Sequence, residues 1–220
     1  LTLGTTYYVR VRVNDGVGDS TAEYWSGGWS SASADSWFVV FDTSGANVWY
    51  VNDTATAGDS YTTAQGYDTN PGLDPRYPKR NLPALSNKLT AGDTIYVDAG
   101  LFDSYVVVNS TETAGFNITT DSVWLIGKDS GATVINPPGD SNVAKVYGIY
   151  ADTQTGLTVK NIGVTGSYDG FHFQNVDNSR LESDSATSNG QYGFYLRVNS
   201  DTNTLTNNTS SNNASYGFYL

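Results

Sequence analysis

The sequence predicts an all-β chain of stacked strand-and-turn coils, and three observations carry that prediction. The first is a phrase repeated in the last third: Gly148-Ile149-Tyr150-Ala151, Gly170-Phe171-His172-Phe173, Gly193-Phe194-Tyr195-Leu196 and Gly217-Phe218-Tyr219-Leu220, at intervals of 22, 23 and 24 residues. A period of that size marks one turn of a stacked architecture per repeat. The second is the alternation inside each phrase, apolar-polar-apolar, where a helical repeat would place apolar residues at i, i+3 and i+4. The third is composition. Charged residues make up only 15% while Gly, Ser, Thr and Asn fill the stretches between phrases, and an aromatic fraction of 13% argues against disorder.

Composition also narrows the function. None of the 220 residues is Cys, which excludes a disulfide framework and a thiolate metal site. Met is absent too, so Leu1 is expected to be a processed or excised start and the chain a piece of something longer. No apolar run approaches the ~18 residues of a membrane helix, and no membrane span is expected in this segment. The formal charge of −11 disfavours nucleic acid as a partner, because few cations are present to displace phosphate counterions. It suits a soluble extracellular protein and leaves carboxylates for Ca²⁺.

Residues 1–42 form a first unit. Thr6-Tyr7-Tyr8-Val9-Arg10-Val11-Arg12-Val13 alternates as a half-buried strand does, and Ser36-Trp37-Phe38-Val39-Val40-Phe41 reads as a second strand after a Gly/Ser/Trp-rich loop. The Leu3, Thr5 or Thr6, Tyr7 or Tyr8 phrase, the Trp25-Ser26 or Trp29-Ser30 pair and the final Phe-Val strand resemble the closing strands of a fibronectin type III domain. Two strands alone are marginal in water, so this unit is read as a partial β-sandwich. Residues 43–47 are a linker, and 48–220 a second unit with a cap over 48–100 and coils over 101–220.

The cap opens with Trp49-Tyr50-Val51-Asn52, a strand, and continues into the loop Gly66-Tyr67-Asp68-Thr69-Asn70-Pro71-Gly72. Pro78-Lys79-Arg80-Asn81-Leu82-Pro83-Ala84-Leu85 is the best helix candidate, running to about Lys88. Gly92-Asp93-Thr94-Ile95-Tyr96-Val97-Asp98 then reads as a turn and a strand. Together these phrases resemble the amino-terminal cap of the right-handed parallel β-helix proteins of the pectate lyase-like superfamily. Residues 105–108, 116–118 and 122–127 continue the strand pattern. The repeats from Val146 onward resemble Asn-rich β-helix repeats of sugar-processing and copper-delivery periplasmic proteins. The resemblance implies a right-handed parallel β-helix with a short amino-terminal capping helix.

In that arrangement Ile149/Ala151, Phe171/Phe173, Phe194/Leu196 and Phe218/Leu220 point into the coil, with Leu157, Val159, Ile162 and Leu205 on the next strand. Asn207, Asn208, Asn212 and Asn213 fall at turns, where Asn tolerates positive φ and its amide can bond the neighbouring coil. The outward positions are Tyr150, His172, Tyr195 and Tyr219. They read as a stripe for stacking polysaccharide or docking a protein, or else as solvent-facing rings that shield the sheet. Tyr147, Tyr168, Tyr192 and Tyr216 read as a second row at the corner. His172 is the only His; Asp169, three residues away, would suit an acid/base pair, but without converging carboxylates His172 reads as a surface ring in the Tyr row, and His172→Ala is expected to be nearly silent.

Asp68, Asn70 and Asp74 supply oxygen ligands around a Gly turn and would suit Ca²⁺, the one cofactor the sequence suggests; the alternative is an Asx-turn cap. Asn-x-Ser/Thr triplets at Asn52, Asn109, Asn117, Asn207, Asn208 and Asn213 would admit glycans in a glycosylating host. The lyases of the superfamily abstract a proton with Lys or Arg beside Ca²⁺-bound carboxylates, and its hydrolases use paired Asp phrases. Here the bases are sparse and no paired-Asp phrase occurs, so no catalytic residue is assigned. The expected function is therefore non-catalytic: a fragment of a large secreted modular surface protein acting as stalk, adhesin or fibre subunit, with an open carboxy-terminal end suited to head-to-tail self-association. The alternative is a polysaccharide lyase, hydrolase or epimerase whose active site lies in coils beyond Leu220.

Overall fold

A computed structural model describes residues 46–139 and 145–220, and the fibronectin-like unit expected over 1–42 lies outside those residues. From Val48 onward the described chain winds into a three-sided parallel β-helix. One sheet holds Val48–Val51, Thr94–Val97, Trp124–Gly127, Thr158–Lys160, Arg180–Glu182 and Thr204–Thr206. A second holds Gly100–Phe102, Thr133–Ile135, Gly163–Thr165, Ser185–Thr187 and Thr209–Ser211. The third holds Val106–Asn109, Glu112–Ile118, Lys145–Asp152, Phe171–Gln174, Phe194–Arg197 and Phe218–Tyr219.

The repeated phrases stack in one register, Ile149 on Phe171 on Phe194 on Phe218, as the period requires. Phe171 and Phe194 lie 4.5 Å apart and Phe194 and Phe218 4.8 Å, each pair within 5° of coplanar. Ile149, Ala151, Phe171, Phe173 and Phe194 are fully buried, and burying each Phe contributes ~1.5–3 kcal/mol. Phe218 and Leu220, in the last coil, are exposed. The second sheet shrinks as the third fills, from Ile135 to Val164 to Ala186 to Ser210 at one register position. The phrase-opening glycine is set by this close approach: a Cβ on Gly170 would lie 2.5 Å from the Gly193 carbonyl.

The corners explain the Asn content. Asn161, Ser183 and Asn207 occupy the left-handed region at φ 59°, 58° and 56°, as do Asn178, Thr202 and Asn212 at other corners. The residue after each of them points inward. There Asn203, Asn208 and Asn213 accept an amide from the coil below on Oδ1 and donate Nδ2 to one of its carbonyls. Asn207 and Asn212 thus supply the backbone bend, while Asn208 and Asn213 supply the ladder.

Two expectations are corrected. Residues 105–108 do not continue the parallel pattern: Val106–Asn109 runs antiparallel to Glu112–Ile118 as a hairpin. The Asn109 side chain accepts from the Thr111 amide and hydroxyl, closing a turn too short for a parallel crossover. The helix expected over 78–88 is a single 3-10 turn, Leu82–Leu85. Pro83 near its start removes a donor, and Asn81 at its N-cap makes no side-chain capping bond, donating instead to Asp68. Two buried acids hold the cap instead. Asp93 accepts from the Asn47 amide, the Trp49 indole and Thr90, and Asp98 accepts from the amides of Ser60, Tyr61 and Thr62.

Candidate functional site

The outer face of the third sheet gathers the predicted stripe. Tyr150, His172, Tyr195 and Tyr219 share one register position on adjacent strands, opposite in direction to the buried Ile149, Phe171, Phe194 series. Two residues along each strand, Asp152, Gln174 and Arg197 form a second outward column. Gln174 donates to the Tyr150 hydroxyl at 3.1 Å and to Asp152 at 2.7 Å, and the Arg197 guanidinium lies 5.6 Å from the centre of the Tyr195 ring.

The stripe is not uniformly open. Tyr150 is 7% and His172 2% exposed, whereas Tyr195 is half-buried and Tyr219 45% exposed. The difference comes from the corner residues, which fold over the sheet instead of packing apart. Tyr147 stacks on Tyr150 at 5.3 Å and lies 4.3 Å from the His172 ring. Tyr192 covers Tyr195 at 4.7 Å, and Tyr216 meets Tyr219 at 5.6 Å. The residue that precedes the second phrase glycine is Asp169, not Tyr168. Three coils thus read Tyr-Gly-x-Tyr and one reads Asp-Gly-Phe-His, with both rings replaced.

The replaced pair meets. His172 Nδ1 lies 2.8 Å from Asp169 Oδ2, both side chains are almost fully buried, and Asp169 Oδ1 accepts the Tyr192 amide at 3.1 Å. His172 is therefore a packed, bonded side chain, which corrects its reading as a surface ring. The signal was the odd phrase itself. Beside it, the Tyr147 hydroxyl donates to Glu112 at 2.7 Å, and Asn109 donates to the other Glu112 oxygen at 2.6 Å. Burial pushes the Glu112 carboxyl up, but these donors and the Lys145 charge outweigh it and hold the group below its usual value. Burial, then the Glu112 contact, raise the Tyr147 phenol well above the ordinary tyrosine value, and burial raises Tyr150 to about 12. Both phenols stay neutral at physiological pH, Tyr147 as a donor to Glu112 and Tyr150 as an acceptor from Gln174.

The family model described as right handed beta helix region matches residues 104–220, more than half of the chain. The chain belongs to the right-handed β-helix family. No curated protein and no solved structure matches it.

Elsewhere in this β-helix the sequence-derived calcium set is divided among separate partners. Asp68 accepts from the Asn81 amide and side chain, Asn70 donates to the Pro78 carbonyl, and Asp74 grips Arg76 through both oxygens. Among the described residues no group of three His, Asp or Glu side chains gathers within metal-binding reach. A polar cleft of about 150 Å³, lined by Asp53, Thr54, Arg80, Asn81, Leu101 and Asp103, pairs one cation with two acids and contains no His. Of the six Asn-x-Ser/Thr triplets, Asn52 is buried, Asn117 is half-buried and Asn208 and Asn213 are committed to the ladder, which leaves Asn109 and Asn207 exposed. No described helix is long and apolar enough to cross a membrane.

Proposed function

We propose that this β-helix, of the pectate lyase-like kind, is a rigid module of a large secreted surface protein and contacts glycan through the outer face of its third sheet. The observation that carries the reading is the juxtaposition of two outward columns. One presents the rings of Tyr195 and Tyr219 beside the corner ring of Tyr192; the other presents the planar polar groups of Asp152, Gln174 and Arg197 two residues along each strand. Ring faces suit the apolar faces of pyranoses, and the polar column supplies donors and acceptors for hydroxyls. The surplus of 22 acids over 11 bases favours a neutral glycan over a polyanion.

A glycan array probed with the chain tests this. Binding that drops more than tenfold in Tyr195→Ala and in Arg197→Ala, with circular dichroism unchanged, supports the reading; binding to no glycan, or undiminished binding by both variants, removes it. A second reading, proton transfer by Asp169 and His172, is favoured by the replacement of both rings in that one coil. The 2% exposure of His172 counts against it. Polysaccharide depolymerisation that disappears in His172→Ala and not in Tyr195→Ala would favour that second reading.

A further inference from the structure

The corner ladder has one member of the wrong chemistry. Asp184 occupies the inward position that Asn208 holds in the next coil, each following a left-handed residue, Ser183 and Asn207. The first oxygen behaves like the Asn oxygen: Asp184 Oδ1 accepts the Ile162 amide at 2.9 Å, as Asn208 Oδ1 accepts the Asp184 amide at 2.8 Å. The second position differs. Asn208 Nδ2 donates to the Leu181 carbonyl at 2.9 Å, and Asn203 and Asn213 make the same bond to Val176 and Ala186. Leu181 stands over Val159 in register, so the counterpart carbonyl for Asp184 is that of Val159. Asp184 Oδ2 is buried, and as a carboxylate it has no hydrogen-bond partner among the described residues. In the place that the Asn208 analogy assigns to it, a bare carboxylate oxygen would be repelled by the Val159 carbonyl and desolvated, whereas a carboxylic acid hydroxyl would donate to it.

We propose that Asp184 is a proton-operated rung of the ladder: as the neutral acid it stands in for asparagine and donates to the Val159 carbonyl, and on ionisation this corner loosens.

The electrostatic surroundings agree. Burial of the 1%-exposed side chain pushes the Asp184 carboxyl up to about 8, and the Ile162 and Glu182 amides only partly oppose it. Among the described residues Glu182 is the one charge that acts on it, raising it further, and that carboxylate is itself bonded to Lys160 and Arg180 on the outer face. The faces contributed by Ile162, Leu181 and Asn208 are uncharged. An unfolded Asp ionises near 3.9. Between that value and about 8 the folded chain holds a proton that the unfolded chain has released. Stability from this group is therefore complete below pH ~4 and is lost as pH rises through 8.

Thermal unfolding of the full chain and of Asp184→Asn between pH 5 and 8, with ¹³C-carboxyl titration of Asp184, tests the proposal. Lys79, depressed by burial to about 8, and Asp59, raised by burial, are common to both proteins, so the difference between the two slopes belongs to Asp184. The expected result is a midpoint that falls with pH in the wild type by on the order of 5 °C more than in Asp184→Asn, with the variant the more stable at pH 8. The carboxyl signal should titrate near 8. Equal pH slopes, an Asp184→Asn protein that is less stable than wild type at pH 8 or does not fold, or a carboxyl titrating near 4 would each overturn it.

Discussion

At the scale of the residue, the odd coil carries the sharpest consequences. Removing the His172 imidazole leaves Asp169 Oδ2 buried without the ring that meets it, and opens space beneath Tyr147. His172→Ala is expected to lose roughly 2–3 kcal/mol in urea unfolding, where a surface ring would lose almost nothing. Tyr147→Phe deletes the donor to Glu112, a bond to a charged group worth about 1.5–3 kcal/mol. Because the Glu112 pKa is depressed in the fold, that contribution is present above its unfolded value near 4.3 and is lost as pH falls through the folded value. The gap between wild type and Tyr147→Phe should therefore be wide at pH 7 and narrow near pH 3; a gap independent of pH would contradict the pairing. Tyr150, Tyr195 and Tyr219 were legible as one column because alternation is local. The Asp169/His172 spacing of three was legible too, but the neighbouring tyrosines favoured a surface-ring reading, with Tyr168 imitating a corner ring one residue out of place. The role of Asp184 has no local signal, since it arises only from the asparagines stacked on it.

At the scale of the element, strand and corner divide the work. Strands carry the ring stack, so Phe194→Ala should cost about 3–5 kcal/mol, and Phe194→Asp, which buries a charge without a partner, should unfold the coils around it. A melting temperature unchanged by either substitution would contradict the inward assignment. Corners carry the amide ladder, and their variable length absorbs the 22-, 23- and 24-residue spacings while the strands stay in register. This regularity is why the last four coils were readable. The cap's strands were readable, but not what holds them: Asp93 and Asp98 take most of their donors from 36 to 46 residues away, and no periodic pattern announces such contacts. The hairpin of Val106–Asn109 with Glu112–Ile118 was missed because a strand's residues do not reveal its direction; only the tight Asn109 turn does.

At the scale of the whole molecule, everything proposed for the outer face depends on adjacent coils standing residue over residue. The chain has no Cys, so an engineered pair reports on that stacking without competition. Thr187 pairs with Ser211 across the second sheet, their hydroxyls 3.4 Å apart, while Ser185 pairs with Thr209. Parallel neighbours lie about 4.8 Å apart, inside the Cα range a disulfide tolerates, whereas a partner two residues out of register on the same face is farther away. The most direct measurement is the extent of disulfide formation in Thr187→Cys/Ser211→Cys against Thr187→Cys/Thr209→Cys under mild oxidation. Near-complete cross-linking of the first pair with little of the second is the predicted result; equal cross-linking of both, or preference for the second, would contradict the coil register on which the outer face is built.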